Sequence, residues 1–223
     1  MAETPLQYGA RRTYAQAGEI TTAKLLGQVM FLVAVAIAFT AAGTVVGRDL
    51  PQGTALICSL AGLGMLLIAS FAPGERFRVG SFAIFWLLGL ALLIGLGLGP
   101  AIAYFIAVDP TALTQAAGGT ALIVAGMGAL GFTLSKDLAG WMRPLSFLVL
   151  GAVGVSLVML MLGSGGNPIV SLVIAIVSAL LILVNFNFLR KHGTEDHAVM
   201  LATGIFVSII NIFISLLNLF SSR

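Results

Sequence analysis

Side chains able to do acid, base or metal chemistry are few in this sequence, and their positions decide which chemistries are open to it. The eight carboxylates are Glu3, Glu19, Asp49, Glu75, Asp109, Asp137, Glu195 and Asp196, and all fall in polar stretches between long apolar runs. Both histidines, His192 and His197, lie in one such stretch near the C-terminal end. A proton relay, a carboxylate cation site or a metalloprotease would need carboxylates or imidazoles within the apolar runs, and none lies there. An intramembrane serine hydrolase needs a base beside its serine, and the apolar runs offer no candidate. Gly163-Ser164-Gly165-Gly166 is not a nucleophile elbow, since no strand precedes it. The segment His192-Gly193-Thr194-Glu195-Asp196-His197 has ligand-type residues, but no further cluster joins them, so it reads as a solvated loop. The lone Cys58 reads as a small apolar residue. We therefore expect no catalytic residue, metal site or cofactor.

What the apolar runs do contain is uncharged polarity in register. Gly204, Ser208, Asn211, Ser215, Asn218 and Ser222 recur at steps of three and four, which on a helix places them within about 80° of one another. Ser171, Ser178 and Asn185 recur every seven residues, while Asn187 points elsewhere. Such stripes turn away from lipid. They serve either helix packing, where small and amide residues allow close approach and hydrogen bonding, or a polar vestibule in the bundle centre. Gly43–Gly47 and Gly95–Gly99 both match G-x-x-x-G, and Gly95, Gly99 and Pro100 together form a candidate hinge in their helix.

The elements that carry these residues follow from composition. Of 223 residues, 59% are hydrophobic and 9% charged, against the roughly 25% charged residues of a soluble domain. Lipid must solvate much of the surface. Within a bilayer only helices and closed barrels satisfy every backbone group. The apolar runs are continuous, without the alternation of barrel strands, and match the ~20 residues that cross a membrane as helix. We expect an all-α integral membrane protein with seven spans: Leu25–Val46, Thr54–Ala72, Ser81–Val108, Thr114–Leu134, Trp141–Leu162, Pro168–Arg190 and Ala198–Phe220. Asn167-Pro168 is a good helix start. Residues 1–24 form a polar tail and residues 25–223 a single domain. The first apolar run is too long for a cleavable signal core and reads as a retained anchor.

Lys and Arg are strongly asymmetric about these spans. Arg11, Arg12, Lys24, Arg76, Arg78, Lys136, Arg143, Arg190 and Lys191 fall on one side, and only Arg48 and Arg223 on the other. The positive-inside rule places the first side, and the N-terminus, in the cytoplasm, with the C-terminus outside. The same asymmetry explains the net charge of +3 without nucleic acid. Trp86, Trp141 and Tyr104 take positions typical of the aromatic belts.

The segment Ile205-Phe206-Val207-Ser208-Ile209-Ile210-Asn211-Ile212-Phe213-Ile214-Ser215-Leu216-Leu217 closely resembles the last helix of the Bax inhibitor-1 family. Gly95-Leu96-Gly97-Leu98-Gly99-Pro100, Gly118-Gly119-Thr120-Ala121-Leu122 and Ser135-Lys136-Asp137-Leu138 resemble its helix 3, its helix 4 and the loop that follows, in the same order and spacing. The resemblance implies a seven-helix bundle. The family includes calcium-leak proteins in which an aspartate pair on helices 6 and 7 forms a pH-sensitive latch, and those positions correspond to Asn185 and Ser208 here. Neither titrates near neutral pH, so the latch does not carry over. Ser208 and the Gly-Gly-Thr-Ala-Leu segment look more like the bacterial YccA branch, whose members are inner-membrane substrates and modulators of the FtsH protease. In that branch the protease grips a cytoplasmic N-terminal tail, which here includes Arg11 and Arg12. This resemblance implies a multi-pass protein of the bacterial inner membrane that acts through an FtsH-like protease or another membrane complex. The alternative is a leak for Ca²⁺ or another cation along Asn185, Ser208, Asn211 and Ser215.

Overall fold

A computed structural model describes residues 21–71, 77, 79–163 and 167–221. Among these, seven helices are long and apolar enough to cross a membrane. They are α1 (Thr22–Gly47), α2 (Gln52–Phe71), α3 (Gly80–Val108), α4 (Pro110–Thr133), α5 (Met142–Met161), α6 (Pro168–His192) and α7 (Ala198–Ser221). Short 3₁₀ turns, Ala139–Trp141 and Glu195–His197, lead into α5 and α7. The chain contains no strand among the described residues. All seven expected spans are present, displaced at their ends by at most about four residues, the usual precision of boundaries read from sequence.

Two of the larger displacements have local causes. α4 starts at Pro110 because Asp109 caps it, its carboxylate accepting from the Ala112 N–H at 2.9 Å with proline in the first helical position. Asn167 and Pro168 repeat the device at α6, where the Asn167 amide oxygen accepts from the Ile169 N–H at 2.9 Å. At its other end α6 continues through Arg190, Lys191 and His192. His192 is thus the last helical residue rather than part of the loop. Positive side chains at a helix C-terminus complement its dipole.

α6 is the most interior helix, with 56% of its most apolar stretch buried, whereas α5 is the most peripheral at 6%. The main core joins α1, α3, α6 and α7 through side chains such as Leu25, Val29, Leu87, Ile182, Leu201, Ile205 and Phe206. A separate cluster, including Leu145, Val149, Val177 and Leu181, seats α5 on α6. Lipid tails are as apolar as leucine, so close packing, rather than escape from water, must hold such a bundle together. The α1–α3 pair shows how. Its two G-x-x-x-G motifs face each other: a Cβ on Gly43 would lie 2.6 Å from the Leu92 carbonyl oxygen, and one on Gly47 2.6 Å from that of Leu96. A Cβ on Gly95 would overlap the Thr40 carbonyl, and one on Gly99 would overlap Gly47. Pro100 has no N–H for the Leu96 carbonyl four residues earlier, and that oxygen instead faces Gly47. Thr40 fastens the same crossing, its hydroxyl lying 3.0 Å from the Ala36 oxygen and 3.1 Å from the Ala91 oxygen. α3 runs unbroken through Pro100. Gly95 and Gly99 therefore sit where α3 meets α1 backbone to backbone, and any bending there has to part that contact.

Candidate functional site

The polar stripes of α6 and α7 point inward. Ser171, Ser178, Asn185, Ser208 and Ser215 are all buried, and Asn211 is half-buried. Each amide or hydroxyl at the centre of the seam turns back on its own helix. The Asn185 Nδ2 donates to the Leu181 carbonyl at 2.8 Å, and the Ser208 hydroxyl donates to the Gly204 carbonyl at 2.8 Å. Asn185 lies over Gly204, where a Cβ would stand only 3.0 Å from its Oδ1. The absent side chain of Gly204 thus makes the space that the Asn185 amide fills. At this point α6 and α7 are in close contact. Ser178 is the exception: its hydroxyl is buried and has no hydrogen-bond partner. Among the described residues, no group of three or more His, Cys, Asp or Glu could hold a metal ion.

The denser polar constellation lies at the basic end of α6 and centres on Asn187, which falls off the stripes that helical spacing picks out. Asn187 is fully buried. Its Oδ1 accepts from the Leu138 N–H at 3.0 Å, and its Nδ2 faces the carbonyls of Gly131 and Leu134 at 3.3 Å and of Lys136 at 3.2 Å. One side chain therefore satisfies the backbone where α4 ends and turns towards α5. Gly131 permits this approach, since a Cβ there would overlap the Leu183 carbonyl of α6. Arg190 adds a bond to the Leu134 carbonyl at 2.6 Å, and the Lys191 ammonium donates to the Ser135 carbonyl. His192 completes the clamp, its Nε2 2.6 Å from the Asp137 Oδ2. The Asp137 carboxyl is held below its ordinary pKa, first by the Ala139 N–H that it accepts and then by the His192 hydrogen bond. Asn187, Arg190 and Lys191 share one helix face, which packing turns towards the α4–α5 connector.

α1 and α4 do not close against each other along their length. Between them lies a cavity of about 910 Å³ floored by α3 and α7. Its polar side chains are threonines, and Thr40, Thr44 and Thr120 each direct the hydroxyl to a backbone carbonyl of their own helix. The seam residues Asn185 and Ser208 are not among its lining. Arg11 and Arg12, the expected partner-binding tail residues, lie outside the described residues.

A family model described as "Inhibitor of apoptosis-promoting Bax1" matches residues 22–223, nearly the whole chain. The curated Bax inhibitor 1 of Sus scrofa is similar at 36% identity over 128 residues, 55% of this chain and 48% of the relative. The aligned part thus spans about half the length of that protein.

Proposed function

We propose that this chain, which belongs to the Bax inhibitor-1 family, works through protein partners and catalyses no reaction. The observation that carries this reading is the uncharged α6–α7 seam. Asn185 and Ser208, the positions that the resemblance assigns to the family's latch, are buried, uncharged and hydrogen-bonded within their own helices. A joint so arranged has nothing to titrate near neutral pH. All carboxylates of the described residues stand at helix ends or in connectors, as Asp109 and Asp137 illustrate. The partner class that fits best is a membrane protease of the FtsH type, with the protein as substrate or modulator in a bacterial inner membrane; membership of a larger membrane complex is a less specific form of the same idea. The N-terminal tail, with Arg11 and Arg12, is the segment that such a protease would engage. Deleting residues 2–20 is expected to stop co-purification with the protease and to slow turnover; unchanged binding and turnover would refute the proposal.

One observation favours a second reading, a Ca²⁺ or other cation leak. The unpartnered Ser178 hydroxyl lies one helical heptad from Asn185 on the same face, so the seam is not fully satisfied. A separation of α6 from α7 would expose Ser178, Asn185 and Ser208 in one row. Purified protein in Ca²⁺-loaded liposomes separates the readings: flux above empty vesicles between about pH 6 and 8, the range of ordinary histidine titration, supports the leak, and its absence removes it.

A further inference from the structure

We propose that the groove between α1 and α4 binds hydrocarbon and holds an acyl chain of a membrane phospholipid. It is open on one side. Ile37 and Ala41 on the α1 wall, and Ala117, Ala121, Ala125 and Ala129 on the α4 wall, line it and are exposed. Its lips continue directly into the lipid-facing surface of the bundle, where Phe31 of α1 is 68% exposed and Leu122 of α4 is 77% exposed. The groove is therefore an inward fold of an established interface, that between the spans and the bilayer.

Three features select a chain-like apolar occupant. Four alanines at four-residue intervals give α4 a smooth row of small side chains that winds about a third of a turn around the helix. The lining runs from Leu113 to Phe132 on α4, which at 1.5 Å per residue is about 28 Å and so close to the depth of a bilayer's hydrocarbon. No charged side chain lines it, and the three threonine hydroxyls on its walls are turned to backbone carbonyls. Water or an ion entering would lose hydration and gain few hydrogen bonds. A lipid tail has no hydration to lose, and it fills space that would otherwise leave the lining without contacts.

The test uses the full chain in nanodiscs of phosphatidylcholine and phosphatidylglycerol, doped with a phospholipid carrying a diazirine midway along one acyl chain. After photolysis, adducts are mapped by mass spectrometry. Adducts at residues 37–44 and 117–129 are expected to be about tenfold denser than on the open face of α5 around Phe147, Leu148 and Val155, the ratio produced by a ~1.4 kcal/mol preference for the groove. Filling the groove with Ala121→Trp and Ala125→Trp should bring labelling at Ile37 and Ala41 down to the α5 level and leave α5 unchanged. Equal labelling of the two faces in the wild-type protein overturns the proposal, and that comparison needs no variant to fold. Groove residues left unlabelled while the α5 face is labelled, as a covering by residues 1–20 or by a second copy of the chain would leave them, overturn it as well.

Discussion

Replacing Asn187 by leucine, a side chain of similar size with no polar atom, removes the centre of the clamp between α6 and the α4–α5 connector. The Nδ2 group has two hydrogens for three carbonyls, at 3.2–3.3 Å, and the Oδ1 accepts one N–H at 3.0 Å. That amounts to three hydrogen bonds. At ~0.6 kcal/mol each, the average within membranes, the loss is about 2 kcal/mol. At the ~1 kcal/mol of a bond in a water-soluble core, with the Leu138 N–H left unpartnered, it approaches about 4 kcal/mol. We expect Asn187→Leu to fall in that interval when unfolding is followed by SDS titration in mixed micelles. Asn187→Asp should be worse than leucine, because it sets a negative carboxylate against three carbonyl oxygens. A second readout reports the connector itself: with Cys58→Ser as background, a cysteine in place of Ser135 should react faster with a maleimide in the Asn187→Leu protein. A variant within about 0.5 kcal/mol of wild type, the scatter of ordinary surface substitutions, and with unaltered labelling would refute the clamp.

Three further perturbations have defined outcomes. Gly95→Leu forces a side chain into the Thr40 carbonyl and should cost about 3 kcal/mol or more by parting α1 from α3, read by the same titration. Ser178→Ala removes a buried hydroxyl with no partner and should leave stability unchanged or raise it by about 1 kcal/mol; a clear loss would mean that the hydroxyl has a partner in the membrane. For Asp137 the folded state holds the carboxyl below its ordinary pKa, so its stabilising contribution is present above about pH 4 and is lost as acid protonates it. Asp137→Asn should accordingly flatten the acid limb of the stability profile, and an unaltered limb would exclude the His192–Asp137 contact as its source.

The seven spans were legible because their signal is one-dimensional: a run of about 20 apolar residues is seldom anything but a membrane-crossing helix. The inward turn of Ser208 and Ser215 was also readable, since helical period converts spacing directly into direction. Asn187 was not. Its neighbours in sequence are apolar, and its significance comes from a connector some fifty residues earlier, which only the packing of α4 against α6 brings near. Gly95 and Gly99 show how packing adds to what the chain alone tells. Read along the chain, they and Pro100 signal a loose helix; in three dimensions they are where two backbones touch.

The marginal seat of α5 bears on how the chain is built. α5 packs chiefly on α6, and α2 chiefly on α3, so each leans on the helix made immediately after it. During synthesis both are made before their supports exist. Each therefore has to be a competent lone span, and both have the composition for it, with mean hydropathies of 1.9 for α2 and 1.8 for α5. Translational pausing within α6 would prolong the interval in which α5 stands alone, and it is in that interval that quality control would meet an unsupported helix.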